Sequence, residues 1–148
     1  MADVLQRVLR SLPHGPEFRF LDRMLSLTPA TRGVGEYRIR GDEWALCGDA
    51  AGQALFPAML LVEAGAQVAG LVAQEDPLNP NGPRLKLTAL RSVDILGSAR
   101  PGETLRIEAV ITGRLGDLIQ AEVTAFVADT RVLTADLTLS GADGMNGR

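Results

Sequence analysis

A single carboxylate interrupts the most apolar stretch of the chain. Between Ala54 and Ala73 the one charged residue is Glu63, and Gln67 follows it four residues later. On a helix these two side chains share a face, and burying a carboxylate is costly unless it has a partner or a chemical role. We therefore expect Glu63 to serve in a pocket, with Gln67 holding it or a water, or packing. The alternative for Glu63 is a structural hydrogen bond at a dimer interface.

Few other side chains offer nucleophilic or metal chemistry. Cys47 is the only cysteine and His14 the only histidine among 148 residues. One cysteine excludes an internal disulfide, and a zinc centre in this chain would need carboxylates for most of its ligands. We predict no metal and no cofactor, a structural role for His14 and a buried apolar role for Cys47. Trp44 is expected either to cover a pocket or to pack in its loop.

Charge and length restrict the partners and the domain count. The formal net charge of −3 argues against nucleic acid, whose phosphates require a clustered positive excess. The polar residues within 54–73 argue against a membrane span, and the first ten residues lack the order of a signal peptide. We expect a cytoplasmic protein with one domain over residues 1–141 and a frayed tail over 142–148.

The stretch 54–73 predicts a long central helix. Its apolar residues occupy every face, so other structure must enclose it. Pro57 suits a first helical turn. Small residues would let a sheet or a second copy of the helix approach closely: Ala64, Gly65, Ala66, Ala69 and Gly70.

The remaining segments predict one short helix and six strands. In 118–129 and in 103–115 apolar residues alternate with polar ones, which is typical of a sheet with one buried face. In 33–40 the alternation of Val34, Tyr37 and Ile39 is imperfect. The predicted helix covers 2–11, the strands cover 21–27, 33–40, 85–96, 103–115, 118–129 and 131–140, and loops cover 41–53 and 75–84. The class is α+β, in the order α, ββ, long α, ββββ.

Three motifs carry a resemblance to a known family. LPHGPEFRFLDRML starts at Leu12, FPAMLLVEAGAQVAGLVA at Phe56 and ARPGETLRIEAVI at Ala99. In this order, with surroundings that extend over about residues 10–140, they resemble the bacterial 3-hydroxyacyl-[acyl carrier protein] dehydratases. The resemblance implies a hotdog fold, in which an antiparallel sheet wraps one long helix, and a dimer of hotdogs.

The resemblance also implies site residues. The family's catalytic base is a histidine in the loop before the helix, and Asp49 stands at that position here. Glu63 matches the helix carboxylate that acts as acid. The backbone amides of Ala58 and Met59 match the donors to the thioester oxygen. The remaining residues expected at the substrate are Phe56, Pro57 and Gln67.

Replacing the histidine changes the chemistry. Aspartate starts from a pKa of about 3.9 rather than about 6.5, which is about 3.5 kcal/mol of lost basicity. Two carboxylates in one dry pocket cannot both ionise, however, so Asp49 and a partner chain's copy of Glu63 could share a proton. The alternative for Asp49 is that of a turn-forming residue in a glycine-rich loop.

Three functions remain open from the sequence. The first is a dehydratase in fatty acid or polyketide-type biosynthesis that acts on acyl carrier protein or CoA thioesters through Asp49 and Glu63. The second is a hotdog acyl-thioesterase, which suits a carboxylate in place of histidine. The third is a catalytically inactive subunit that binds acyl chains or completes a heterodimer with an active dehydratase. An acidic carrier protein would need a basic patch, for which the candidates are Arg84, Lys86, Arg91 and Arg100.

Overall fold

A six-stranded antiparallel sheet packs against one helix. The structure, a computed structural model, describes residues 19–75 and 85–141. The strands are β1 (Arg23–Thr28), β2 (Arg32–Arg38), β3 (Cys47–Gly48), β4 (Ala54–Leu55), β5 (Leu85–Ile95), β6 (Thr104–Leu115), β7 (Leu118–Val127) and β8 (Thr130–Gly141), and the helix is α1 (Ala58–Gln74). The main sheet has the order β1-β2-β6-β7-β8-β5, and β3 and β4 form a separate two-stranded ribbon. Every strand of the main sheet contacts α1.

Strands β6 and β7 confirm the alternation seen in the sequence. Their register pairs Leu105 with Val127 and Ala109 with Val123, so the inward side chains of both strands lie opposite one another. Buried residues on these strands are Leu105, Ile107, Ala109, Ile119, Ala121, Val123 and Ala125. One face of the sheet is therefore the core that covers the helix.

Strand β2 turns glycines toward the helix. The buried residues of β2 are Gly33, Gly35 and Tyr37, and Ile39, just after the strand, is buried as well. A Cβ at Gly33 would lie 2.6 Å from Val72 Cγ2, and one at Gly35 would lie 2.9 Å from Val68 Cγ2. Val34 is only half-buried and lies on the opposite face from Tyr37. The alternation is imperfect because the helix passes too close for side chains at these two positions.

The helix begins four residues later than predicted. Residues 54–55 pair with 47–48 instead of continuing α1, and Pro57 is the N-cap with φ −60° and ψ 142°. The prediction of helix from Ala54 was wrong because a short apolar run fits a strand or a helix equally well. Cys47 is exposed, contrary to prediction, because the ribbon that carries it lies apart from the main sheet.

Small residues on α1 allow close contact with the sheet. A Cβ at Gly65 would lie 2.8 Å from Val123 Cγ2, while Ala64 and Ala69 are fully buried. The sequence predicted either a sheet or a second copy of the helix against this face, and at Gly65 the sheet of the same chain contacts it. The approach of a second copy of the helix stays a prediction.

Some predictions fall outside the described residues. These are the helix over 2–11, His14, most of the loop over 75–84 and the tail over 142–148. Within the described part of the chain, no helix has the length and apolar character needed to cross a membrane.

Candidate functional site

One face of α1 runs from the surface into the core. Met59, Glu63 and Gln67 follow one another at intervals of four residues, so their side chains share this face. Met59 is 60% exposed, Glu63 is half-buried and Gln67 is 2% exposed. Glu63 therefore lies where the face passes from solvent to the interior.

The start of the helix offers backbone donors next to this face. The first helical hydrogen bonds are those that Leu60 N and Leu61 N donate to the carbonyl of Pro57. The amides of Ala58 and Met59 precede these bonds and lie at the positive end of the helix. Glu63 is five residues beyond Ala58, or about 7.5 Å along the axis. The predicted thioester donors and the predicted acid are thus on one short segment of helix.

Two residues expected at the substrate are buried in the described chain. The Oε1 atom of Gln67 accepts the backbone N–H of Phe20 at 2.9 Å, which fixes the segment leading into β1. Phe56 is 2% exposed, and its ring centroid lies 5.7 Å from that of Phe20 and 5.9 Å from that of Tyr37. Both side chains thus contact Phe20, and Pro57 caps the helix, while a role for these three residues at the substrate stays a prediction.

Asp49 closes a tight turn within its own loop. Its Oδ1 accepts the N–H groups of Ala51 at 2.9 Å and of Gln53 at 3.0 Å. The backbone adds two more bonds, from Asp49 N to Gln53 O and from Gly52 N to Asp49 O, both at 2.9 Å. Gly52 has φ +80°, a conformation that glycine adopts readily. These contacts are those of the turn-forming alternative.

The second oxygen of Asp49 faces a guanidinium group. Arg100 Nη2 donates to Asp49 Oδ2 at 2.7 Å, and the two side chains are 39% and 22% exposed. The hydrogen bonds from Gln53 N and from Arg100 hold the pKa of Asp49 below its usual range. The predicted base with a shared proton needs a carboxyl group that takes up a proton easily, whereas these donors favour the ionised form. An approach of Glu63 from a partner chain stays a prediction.

Glu43 organises the first part of the same loop, and sequence reasoning missed it. Its Oε2 accepts the Tyr37 hydroxyl at 2.7 Å and Arg40 N at 2.8 Å, and its Oε1 accepts Gly41 N at 2.7 Å. Burial opposes the charge of Glu43, but these hydrogen bonds prevail and lower the pKa of its carboxyl group. Burial, followed by the bond to Glu43, raises the pKa of Tyr37. The only local signal was a glutamate two residues after Gly41.

A surface cavity of about 320 Å³ adjoins the Glu43 loop. Trp44, which is 64% exposed, lines it together with Arg19, Tyr37 and Arg40. Trp44 thus borders a cavity, although this cavity is lined by neither of the two predicted catalytic carboxylates.

The predicted basic patch does not come together in the described residues. Lys86 and Arg91 both lie on β5, about 17 Å apart for five residues of strand. Arg91 borders a groove that Glu122 and Asp136 also line, and Arg100 is engaged by Asp49. Arg84 lies outside the described residues. Of the predicted patch, Lys86 and Arg91 are therefore well separated, and Arg91 and Arg100 each lie near carboxylates.

Comparison with known proteins identifies the family. Residues 12–136 match the FabA-like domain. The 3-hydroxyacyl-[acyl-carrier-protein] dehydratase FabZ of Moorella thermoacetica is 31% identical over 126 residues, covering 85% of this chain and 87% of the relative. The FabZ of Chloroflexus aggregans is 28% identical over 142 residues, covering 94% and 96%. The chain belongs to this family of FabA-like dehydratases.

Solved structures agree on the fold. The dehydratase heterocomplex ApeI:P from Xenorhabdus doucetiae aligns with a TM-score of 0.74 and 15% identity, covering 95% of this chain and 97% of that one. The protein smu.793 from Streptococcus mutans, bound to acetyl CoA, aligns with a TM-score of 0.66 and 18% identity, covering 89% and 96%. These likenesses confirm the predicted hotdog fold.

Proposed function

We propose that this chain dehydrates 3-hydroxyacyl thioesters of acyl carrier protein, as a cytoplasmic enzyme of fatty acid or polyketide-type biosynthesis. The observation that carries the proposal is the position of Glu63, half-buried between exposed Met59 and buried Gln67 on one face of α1. An acyl chain that entered along this face would meet this carboxyl group. Family membership supplies the reaction type.

Dehydration breaks a Cα–H bond and a Cβ–O bond of the 3-hydroxyacyl thioester, forms the double bond of a trans-2-enoyl thioester and releases water. Hydroxide leaves poorly, so an acid must protonate the departing oxygen, and we assign this step to Glu63. Loss of the α-proton places negative charge on the thioester oxygen. The amides of Ala58 and Met59 are the donors that would stabilise this charge. No cofactor is needed for these steps.

The α-proton also needs a base, and Asp49 is the less well supported member of the pair. Its three hydrogen-bond donors stabilise the ionised form of Asp49 and therefore lower its affinity for a proton. The proposal therefore depends on Glu63 first, and a role for Asp49 as base is tested separately below.

The test is turnover of matched substrates. Purified protein is incubated with short, medium and long 3-hydroxyacyl and trans-2-enoyl thioesters, each on acyl carrier protein and on CoA. We expect interconversion, and Glu63→Gln should lower it by at least about 100-fold because a general acid contributes that much. Glu36→Gln, at a surface carboxylate paired with Arg23, is the matched control and should be unaffected. No turnover with any chain length or carrier would refute the proposal, and release of free thiol alone would indicate a thioesterase.

A second candidate function is favoured by the contacts of Asp49. Because its carboxylate is engaged by backbone amides and Arg100, this chain would supply Glu63 to a related subunit that brings the histidine. The test mixes this chain with a histidine-bearing FabZ whose own helix carboxylate is changed to glutamine. Restored turnover that disappears with Glu63→Gln in this chain supports the second function. Turnover by this chain alone that is unchanged by the partner supports the first.

Dimerisation through β5 belongs to either function. This strand forms one edge of the sheet built by the described residues. Exposed apolar side chains on it or just beyond it are Leu90, Ile95 and Leu96. Such an edge favours pairing with another strand. Ala99 O accepts Phe56 N at 2.9 Å, so this edge ends beside the helix start. We propose a homodimer, or a heterodimer in the second case, and a stable monomer in light scattering would contradict both.

A further inference from the structure

Arg100 joins two segments that lie 51 residues apart in the chain. Its Nη2 donates to Asp49 Oδ2 at 2.7 Å and its Nη1 donates to Ala54 O at 3.2 Å, so one guanidinium contacts both ends of the loop 49–54. The backbone of Arg100 is itself held in a turn. Arg100 N donates to Glu103 Oε1 at 2.7 Å, and Glu103 N donates to Arg100 O at 3.1 Å. The loop is therefore fastened to an ordered connection between β5 and β6.

The loop that Arg100 holds leads directly into the helix. After β4 ends at Leu55, Phe56 N donates to Ala99 O at 2.9 Å and Pro57 caps α1. Two successive residues of the β5–β6 connection, Ala99 and Arg100, thus set where the loop lies relative to the first helical amides. If the loop moved, its position beside the proposed thioester donors would change with it.

We propose that Arg100 is a positioning residue for the dehydration site and that Asp49 is its anchor rather than a proton acceptor. In this arrangement the carboxylate of Glu63 takes up the α-proton and then gives it to the departing hydroxyl oxygen, so that water leaves and Glu63 is ionised again. Together they form a clasp, defined as the contacts of Arg100 with Asp49 and Ala54, that holds loop 49–54 beside the start of α1. This inference rests on the proposed function for its catalytic consequence, but the clasp is also measurable without turnover. It gives Arg100 a role within the chain instead of one in binding a carrier protein.

A clasp and a catalytic base predict opposite patterns of mutational effect. If Asp49 were the base, Asp49→Ala would remove about 100-fold or more of the rate, whereas Arg100→Ala would leave the base in place and make it more basic. If the two residues act as a clasp, either alanine change opens the same loop. Arg100→Ala then causes a loss similar to that of Asp49→Asn, which keeps an acceptor for the two loop amides, and the double alanine variant loses little more than Asp49→Ala alone.

The experiment is a double-mutant cycle on the full chain with two readouts. The variants are Asp49→Ala, Arg100→Ala and the pair, with Asp49→Asn and Arg100→Lys as milder changes should an alanine variant fold poorly. Arg23→Ala removes a surface ion pair of similar length on β1 and β2 and is the matched control. The readouts are hydrogen exchange of the Ala51 and Gln53 amides and the kcat/KM with its pH profile.

We expect Arg100→Ala to raise amide exchange in the loop and to lower kcat/KM by about tenfold, which matches the loss of one hydrogen bond to a charged group. Asp49→Asn should resemble it, whereas Asp49→Ala should lose more because it also removes the acceptor of the Ala51 and Gln53 amides. The losses should not add, and the acid limb of the pH profile should not move. Arg100→Lys should be intermediate, because one ammonium cannot reproduce the forked contact. A loss of about 100-fold or more in Asp49→Asn that Arg100→Ala does not share, or additive losses, would overturn the proposal.

The two proposals can fail separately. If the wild-type chain turns over no thioester, the proposed function fails while loop exchange still tests the clasp. If turnover is seen but exchange at Ala51 and Gln53 is unchanged by Arg100→Ala, the clasp alone is refuted.

Discussion

The carboxylates of two neighbouring regions, the loop over residues 41–53 and helix α1, lie in different backbone surroundings. Irregular backbone leaves amides that need acceptors, and each of the two loop carboxylates, Glu43 and Asp49, accepts two backbone N–H groups. In a helix interior the amides bond to the carbonyls four residues earlier. The backbone around Glu63 therefore makes no such demand on its side chain.

The two loop carboxylates also differ from each other in their anchors. Glu43 accepts the hydroxyl of Tyr37, which is fully buried, whereas Asp49 accepts from Arg100, which is 39% exposed. The comparison teaches that an acidic residue in a glycine-rich loop is engaged by the free amides of that loop, whereas the backbone of a helix interior has no free amides to offer.

The strongest test of this comparison sets Asp49→Asn against Glu63→Gln. We expect Glu63→Gln to lower dehydration by at least about 100-fold, and Asp49→Asn by about tenfold or less, since an asparagine oxygen can still accept the two loop amides. Steady-state kinetics of both variants, with thermal melting to confirm folding, decide it. Equal losses would show that the loop carboxylate also does chemistry.

A smaller effect is expected from removing the Tyr37 hydroxyl, the buried anchor of Glu43, and this effect is on stability. Tyr37→Phe removes the hydroxyl that donates to Glu43, and we expect the free energy of unfolding to fall by about 1.5–3 kcal/mol, as for a hydrogen bond to a charged group. Urea denaturation measures it. A fall of a few tenths would mean that the backbone amides alone hold Glu43.

The pH dependence of stability should follow the lowered pKa of Glu43. A carboxylate whose pKa is lower in the folded state stabilises the protein above its unfolded value, about 4.3, and loses that contribution as pH falls through the folded pKa. The difference in unfolding free energy between the wild type and Glu43→Gln should thus be full near pH 7 and shrink below about pH 4.3. Denaturation series at several pH values test this, and a difference that is constant with pH would contradict it. The pKa of Asp49 is also lowered, so its contribution to stability should likewise be lost as the pH falls.

The smallest effect on stability is expected from removing Arg100, the exposed partner of Asp49. Arg100→Ala should lower the free energy of unfolding by about 1 kcal/mol or less, because an ion pair open to water is screened. Added salt should shrink the difference further. Urea denaturation at low and high salt measures both, and a loss as large as that of Tyr37→Phe would show that the two anchors are equivalent.

The site was only partly predictable. Glu63 stood out because a lone carboxylate in an apolar helix is visible in the sequence, and its half-buried place on α1 fits that reading. For Asp49 the sequence left two alternatives, a catalytic base or a turn-forming residue. Its contacts are those of the turn-forming residue, and its partner Arg100 lies 51 residues away in the chain. Phe56 and Gln67 were placed at the substrate, but their contacts with Phe20 became visible only when distant segments packed together.

The sequence by itself determined the long enclosed helix, the antiparallel strands with one buried face and the family, because periodicity and motif order are local properties of the chain. Tertiary structure alone decided where α1 begins, why β2 carries Gly33 and Gly35 against the helix, and which donors surround Asp49. Side-chain periodicity records which face of an element is buried. It does not record which distant backbone approaches that face, and the hydrogen-bond partners of a carboxylate depend on that approach.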